Sequence, residues 1–112
     1  DFPVHGFEAE VAKLAKAYPF LAPAHARRLT RRYGTKAAML LGKAASTADL
    51  GRHFGSDLYE VEVLYLMQHE WAFTADDILW RRSKKGLHLS YSEGSSLETF
   101  MSEFAKRQIA AQ

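Results

Sequence analysis

The stretch that most constrains the fold lies near the middle of the chain, at residues 58–86. At about 100° per residue, a helix over its first half carries apolar side chains on two sides. The first side has Leu58, Val61, Tyr65 and Ala72, and the second has Val63, Leu66 and Met67. Because a helix that is apolar on two sides must be covered by neighbours, this segment predicts the centre of a small helical domain.

A second, shorter helix is predicted directly after the first. Thr74 has the side chain of an N-cap, and Asp76 and Asp77 lie in the first turn, where the helix dipole favours acids. Gly86 is a stop signal. The apolar part and the basic end of this helix comprise Ile78, Leu79, Trp80, Arg81, Arg82, Lys84 and Lys85.

Two helices are predicted near the start of the chain. Residues 7–18 have amphipathic spacing, and Pro19 ends them because proline has no backbone N–H. Residues 23–33 begin with a proline at the first helical position and end at Gly34. The basic side chains on the wet face of this second helix are Arg27, Arg28, Arg31 and Arg32.

The middle of the chain before residue 58 is less regular. Thr35 is predicted to cap a short helix over residues 35–41. Residues 43–57 are rich in Ala, Ser, Gly and Asp, which predicts a loop with at most one helical turn. Leu50 and Phe54 are the expected anchors of this loop in the core.

The last helix is predicted to begin at Ser92 or Ser95. Its expected buried stripe consists of Leu97, Phe100, Met101, Phe104 and Ile109. Strands are not predicted, since β-branched residues are sparse and no turn signal separates alternating runs. The fold class is therefore predicted as all-α, a small orthogonal bundle of five or six helices that forms one domain over residues 1–112.

Composition bears on the cellular compartment and the class of partner, but it does not indicate the function. The 15 Lys and Arg residues face 13 Asp and Glu residues, and the resulting net charge of +2 is too small to imply a nucleic-acid or membrane partner. There is no cysteine, which fits a reducing compartment, and no apolar run reaches the roughly 18 residues of a spanning helix. We expect a cytoplasmic protein, and the initial Asp1 leads us to expect a piece of a longer chain.

No pattern in the sequence indicates a reaction centre. None of the five histidines stands four residues from another, the spacing that places two imidazoles on one helix face for a metal. No Gly-rich loop joins a strand to a helix, so nucleotide phosphates have no predicted cradle. We therefore predict no catalytic, cofactor-binding or metal-ligating residue in the chain.

The charged residues of the central stretch are instead predicted to be structural. Glu62 and Glu70 lie on a largely apolar helix, and Arg81 and Arg82 leave the next one. An unpaired carboxylate in the interior lowers stability by several kcal/mol. An ion pair that joins the two helices is therefore the favoured interpretation. The alternative is that Glu70 is a general acid or base of a small stand-alone enzyme.

Two basic clusters keep a different function class open. The arginines of residues 27–32 and the basic end of residues 81–85 could bind phosphate groups. A solvated face is favoured because acids elsewhere nearly cancel the charge. The alternative function is an independent helical nucleic-acid-binding module, with residues 23–34 or 74–85 as the reading helix.

Residues 59–89 resemble the C-terminal domain of the FAD-dependent glycerol-3-phosphate dehydrogenases of aerobic respiration. The pieces that carry this resemblance are residues 60–66, the sequence HEWA at residues 69–72, Thr74 with Asp77, and the sequence LWRRSKKGL at residues 79–87. Weaker pieces are residues 18–21, Arg28-Leu29 and Tyr33-Gly34.

The resemblance implies a parent enzyme that oxidises sn-glycerol 3-phosphate to dihydroxyacetone phosphate with FAD and passes electrons to quinone, peripherally on the inner face of the cell membrane. The flavin and the catalytic residues belong to an N-terminal part that this chain lacks, so it implies an inactive accessory domain here. Its expected partner is that missing FAD domain, with self-association as a further expectation and no nucleic acid.

Overall fold

The computed structural model describes residues 4–70, 74–75, 77–78 and 89–111. Its α-helices are α1 (Val4–Ala17), α2 (Pro23–Tyr33), α3 (Ala37–Leu41), α4 (Glu60–His69) and α5 (Tyr91–Ala111). Two 3-10 helices cover Gly34–Lys36 and Thr47–Leu50, and two short strands are β1 (His53–Gly55) and β2 (Leu58–Tyr59). The predicted all-α class is confirmed, since helix dominates the described residues.

The chain divides into two compact units, Asp1–Gly51 and Arg52–Gln112. The single domain over residues 1–112 and the orthogonal arrangement of its helices stay predictions.

The first unit is built on the helical hairpin of α1 and α2. α2 has the predicted bounds, with a proline at its first position and Gly34 (φ 60°) directly after it. The buried Tyr18 follows α1, and its hydroxyl donates to the carbonyl of Gly42 at 2.6 Å. The apolar core of this unit consists of Leu14, Tyr18, Leu21, Ala26, Leu29, Tyr33, Ala37, Leu40, Leu41 and Leu50.

The predicted cap at Thr35 is wrong. The 3-10 helix Gly34–Lys36 joins α2 directly to α3, and Thr35 lies inside it. An N-cap residue needs extended backbone, whereas Lys36 before α3 has φ −78° and ψ −8°. The predicted anchor Leu50 is confirmed, with 1% of its surface exposed.

The second unit begins with a two-stranded antiparallel hairpin, so the prediction of no strands is wrong at this point. β1 pairs with β2 through His53 opposite Tyr59 and Gly55 opposite Leu58. The turn uses positive φ at Gly55 and Ser56, which suits a Gly-Ser-Asp sequence. Leu58 is buried as expected, but on β2 rather than on the central helix.

α4 is shorter than the central stretch suggested. It begins at Glu60, and its buried residues are Glu62, Val63, Tyr65 and Leu66. Val61 and Met67 are half-buried, and Ala72 lies outside the described residues.

α5 begins earlier than predicted, because its N-cap is Ser90 rather than Ser92 or Ser95. The Ser90 hydroxyl accepts the N–H of Glu93 at 3.2 Å, and the Glu93 carboxylate accepts the N–H of Ser90 at 2.8 Å. This reciprocal pair is a capping box. Of the predicted stripe, Leu97 and Met101 are fully buried, Phe100 and Phe104 are half-buried, and the side chain of Ile109 lies outside the described part.

Candidate functional site

The predicted cap at Thr74 is confirmed. The Thr74 hydroxyl accepts the N–H of Asp77 at 3.2 Å, and the Asp77 carboxylate accepts the N–H of Thr74 at 3.1 Å. Glu98 of α5 adds a contact that the sequence did not indicate, because its carboxylate accepts the N–H of Ala75 at 3.0 Å. A negative charge at a helix N-terminus is favourable, so α5 fixes the start of the helical segment after α4.

The residues predicted to form an ion pair are only partly placed. Glu62 lies in the first turn of α4 with 1% of its surface exposed, and Glu70 is half-buried directly after α4. Arg81 and Arg82 lie outside the described residues. The pairing of these four residues therefore stays a prediction, while the burial of Glu62 agrees with a structural role for its carboxylate.

The polar group that the structure does bring together lies around the hairpin of the second unit. We call Arg52, His53, Phe54, Tyr59, Glu60 and Ser96 the hairpin cluster. Arg52 and Glu60 clasp the base of the hairpin: the N–H of Glu60 donates to the carbonyl of Arg52 at 2.8 Å, and the N–H of Arg52 donates to the Glu60 carboxylate at 3.1 Å.

The Arg52 side chain is fixed from two further directions. Its Nη2 donates to the Ser96 hydroxyl on α5 at 2.7 Å, and its Cζ lies 5.1 Å from the centre of the Phe54 ring. Phe54 is buried and packs against Phe100 of α5 with ring centres 5.1 Å apart. An exposed guanidinium is thereby held over a rigid base.

His53 lies at the edge of the same cluster. Its exposed ring stacks on Tyr59, with centres 4.6 Å apart and planes 20° from parallel. The Nε2 atom lies 2.6 Å from the carbonyl of Ser56, so Nε2 donates the hydrogen. The ring therefore closes the hairpin turn.

Gly55 lets this hairpin approach α5 closely. A Cβ atom at Gly55 would lie 2.5 Å from the Leu89 side chain and 2.7 Å from the carboxyl carbon of Glu93. Glu93, Ser96 and Phe100 stand three and then four residues apart, so they share the side of α5 that faces the hairpin.

The polar surface of the first unit is an ion pair between α1 and α2. Arg27 donates two hydrogen bonds to Glu8, at 3.1 and 2.9 Å, and these bonds lower the pKa of Glu8 and raise the pKa of Arg27. Arg27 and Arg31 lie 5.3 and 5.6 Å from the Phe7 ring centre. Much of the predicted basic face is thus engaged within the unit, and nothing in it favours the nucleic-acid alternative.

A cleft of about 170 Å³ lies on the first unit. Its lining residues are Glu10, Lys13, Leu14, Ala17, Thr30, Gly34, Thr35 and Ala38. Cofactor pockets usually enclose roughly 300–1,000 Å³, so this cleft does not fit a flavin dinucleotide. Within the described residues, no three His, Asp or Glu side chains stand where they could hold a metal ion, and no helix has the length and apolar character to cross a bilayer.

Comparison with known proteins gives consistent matches. The family model for the C-terminal domain of alpha-glycerophosphate oxidase matches residues 1–107. An aerobic glycerol-3-phosphate dehydrogenase of Escherichia coli is 40% identical over 99 residues, which are 88% of this chain and 20% of that protein. A glycerol-3-phosphate dehydrogenase of Pseudomonas aeruginosa is 48% identical over 94 residues, 84% of this chain and 18% of that protein.

A relative with a different name matches at a similar level. A D-erythritol 1-phosphate dehydrogenase of Brucella abortus is 40% identical over 87 residues, 78% of this chain and 17% of that protein. The chain spans about a fifth of the length of these curated relatives or slightly less.

Proposed function

The chain belongs to the family of the C-terminal domain of alpha-glycerophosphate oxidase, and from this premise we propose that it is the accessory C-terminal domain of a glycerol-3-phosphate dehydrogenase. The resemblance of residues 59–89 is thereby confirmed. The observation that carries the proposal is the match over residues 1–107, which covers nearly the whole chain.

The proposed parent enzyme oxidises sn-glycerol 3-phosphate to dihydroxyacetone phosphate with FAD and passes the electrons to quinone. The cleft on the first unit is too small for the flavin, and the sequence has no Gly-rich phosphate loop. In this proposal FAD is therefore bound by the catalytic part of the parent, and this chain contributes no catalytic residue.

The substrate class of the parent is a phosphorylated polyol. Two of the relatives are named for glycerol 3-phosphate, and the Brucella abortus relative is named for D-erythritol 1-phosphate. We propose glycerol 3-phosphate as the substrate, since most of these relatives are named for it.

The proposed partner of this chain is the catalytic FAD part of the same protein, with self-association as a second contact. The proposed location is the cytoplasm, with the parent peripheral on the inner face of the cell membrane, where quinone accepts the electrons. A structural role is supported by what the chain's charged groups do: Glu93, Asp77 and Glu98 bind backbone N–H groups at helix starts.

The test compares the full-length protein with the 112-residue chain alone. We expect the full-length protein to carry a flavin absorbance and to reduce a soluble quinone with glycerol 3-phosphate, and to do so faster than with D-erythritol 1-phosphate. The chain alone should show neither. Flavin binding or turnover by the chain alone would refute the accessory role, and a full-length protein without dehydrogenase activity would refute the parentage.

The rival hypothesis of a small enzyme that uses Glu70 has its own variant. Glu70→Gln in the full-length protein should leave the KM for glycerol 3-phosphate unchanged and lower thermal stability instead. A loss of kcat with unchanged stability would favour the enzyme hypothesis.

A further inference from the structure

We propose that Arg52, held in place by Ser96 and Phe54, is an anchor for a carboxylate side chain on the catalytic part of the full-length protein. This inference rests on the proposed function, since it names the contact through which the accessory domain is docked. The hairpin cluster positions a guanidinium for an anionic partner, and the described part of the chain provides no such partner.

The Arg52 side chain is held by its neighbours. The backbone of Arg52 is fixed on both sides by Glu60, its Nη2 is held by Ser96, and its guanidinium lies 5.1 Å from the ring centre of Phe54. An arginine normally loses up to about 2 kcal/mol of rotamer entropy when it is fixed. Because Arg52 is already ordered, a partner that binds it meets less of that cost.

Arg52 has hydrogen-bond donors that no carboxylate of the described residues uses. A guanidinium has five N–H donors in a planar fork, and the Ser96 hydroxyl accepts from one nitrogen. The ion pairs between the described residues are Lys13 with Glu10 and Arg27 with Glu8, so Arg52 meets no carboxylate in that part of the protein. The Glu60 carboxylate binds the backbone N–H of Arg52 and not its guanidinium.

Arg27 has the carboxylate partner that Arg52 lacks among the described residues. It donates through both Nη atoms to the two oxygens of Glu8, at 3.1 and 2.9 Å. Such a bidentate pair is the strongest arrangement that a guanidinium forms with a carboxylate. Arg52 instead donates to a neutral hydroxyl, that of Ser96, and arginine is enriched at protein interfaces.

The charge near Arg52 favours a carboxylate over a phosphate as its partner. The guanidinium of Arg52 carries one positive charge, and the Glu60 carboxylate is bound to the backbone N–H of the same residue. A singly charged carboxylate is neutralised by one guanidinium, whereas a phosphate dianion would retain a charge beside Glu60. The site is also open, with Arg52 and His53 both exposed, which suits a protruding side chain better than a small molecule. A carboxylate of the catalytic part is thus the favoured occupant over a free phosphate ester.

The experiment measures hydrogen exchange of the hairpin amides in the full-length protein and in the 112-residue chain. The variants are Arg52→Glu and Arg52→Gln, with Arg31→Glu and Arg31→Gln as matched controls, since Arg31 is an exposed arginine whose contact is the Phe7 ring. In the full-length protein, Arg52→Glu should speed exchange at residues 53–59 by about tenfold, equivalent to 1.4 kcal/mol. In the chain alone the same change removes only the contacts with Ser96 and Phe54, so exchange should speed up clearly less than in the full-length protein.

The other outcomes overturn the proposal. Unchanged exchange in the full-length protein, or an equal increase in both proteins, would show that Arg52 matters only within its own unit. A raised KM for glycerol 3-phosphate with unchanged exchange would assign the site to a free phosphate ester.

If Arg52→Glu fails to fold, Arg52→Lys decides, since it keeps the charge and removes the fork. It should speed exchange less than Arg52→Gln in the full-length protein, and equal effects would refute the carboxylate partner. Wild-type dehydrogenase activity is measured in parallel, so a wrong parentage is recognised separately from a wrong docking contact.

Discussion

Replacing Gly55 by alanine tests the contact between the hairpin and α5. Gly55 has φ +137°, a conformation that L side chains rarely adopt. The new Cβ would lie 2.5 Å from Cδ2 of Leu89 and 2.8 Å from Oε1 of Glu93. Since real Cβ atoms do not approach so closely, the hairpin or the carboxylate of Glu93 must move.

The magnitude follows from two terms. Backbone strain at a disfavoured φ costs about 1–3 kcal/mol. Glu93 is one half of the capping box at the start of α5, and losing such a cap costs about 0.5–2 kcal/mol. Together they predict that Gly55→Ala lowers the free energy of unfolding by about 1.5–5 kcal/mol, a large share of the ~5–15 kcal/mol that stabilises a typical domain.

The assay is urea unfolding of the 112-residue chain followed by circular dichroism. Gly94→Ala is the matched control, because Gly94 lies inside α5 and a Cβ there meets no atom within 4 Å. Alanine should stabilise that position by up to about 1 kcal/mol. If Gly55→Ala changes stability by less than about 0.5 kcal/mol, the close approach of the hairpin to α5 is wrong.

Three further changes test other contacts. Ser90→Ala should lower the free energy of unfolding by about 0.5–2 kcal/mol in urea, while Ser102→Ala on the exposed side of α5 should lower it by less; equal losses would argue against the cap. Because Arg27 lowers the pKa of Glu8, their pair stabilises the fold above the ordinary glutamate pKa of about 4.3 and is lost as pH falls. The difference in Tm between wild type and Glu8→Gln should therefore shrink from pH 7 to pH 3, and a constant difference would contradict the pair. Leu97→Ala, at a fully buried position, should cost about 2–5 kcal/mol, and a cost below about 1 kcal/mol would place that side chain outside the core.

Helix boundaries were predictable where a single residue decides them. Pro23 and Gly34 mark the two ends of α2, and the structure places both ends there. The start of α5 was not decided by the sequence, because Ser90 with Glu93 and Ser95 with Glu98 both have the spacing of a capping box. The structure has the box at Ser90 and Glu93, and Glu98 instead accepts the N–H of Ala75, so the predicted start was wrong by at least two residues.

The hairpin cluster could not be predicted from the sequence. Its strands have three and two residues, too short for an alternating pattern to be recognised. Arg52 and Ser96 are 44 residues apart, and their contact depends on the packing of the hairpin against α5. The ion pair of Glu62 and Glu70 with Arg81 and Arg82 was predicted from residues close together in the sequence. Its geometry stays a prediction, because both arginines lie outside the described residues.

The contacts of α5 change the interpretation of the second unit. One side of α5 supports the hairpin through Glu93, Ser96 and Phe100, while Glu98, about 200° around the helix from Ser96, binds the N–H of Ala75. The hairpin and the backbone at Ala75 thus contact different sides of α5. The sequence pattern had instead indicated residues 58–86 as the centre of the domain. A displacement of α5 would therefore shift both the hairpin that carries Arg52 and the backbone at Ala75.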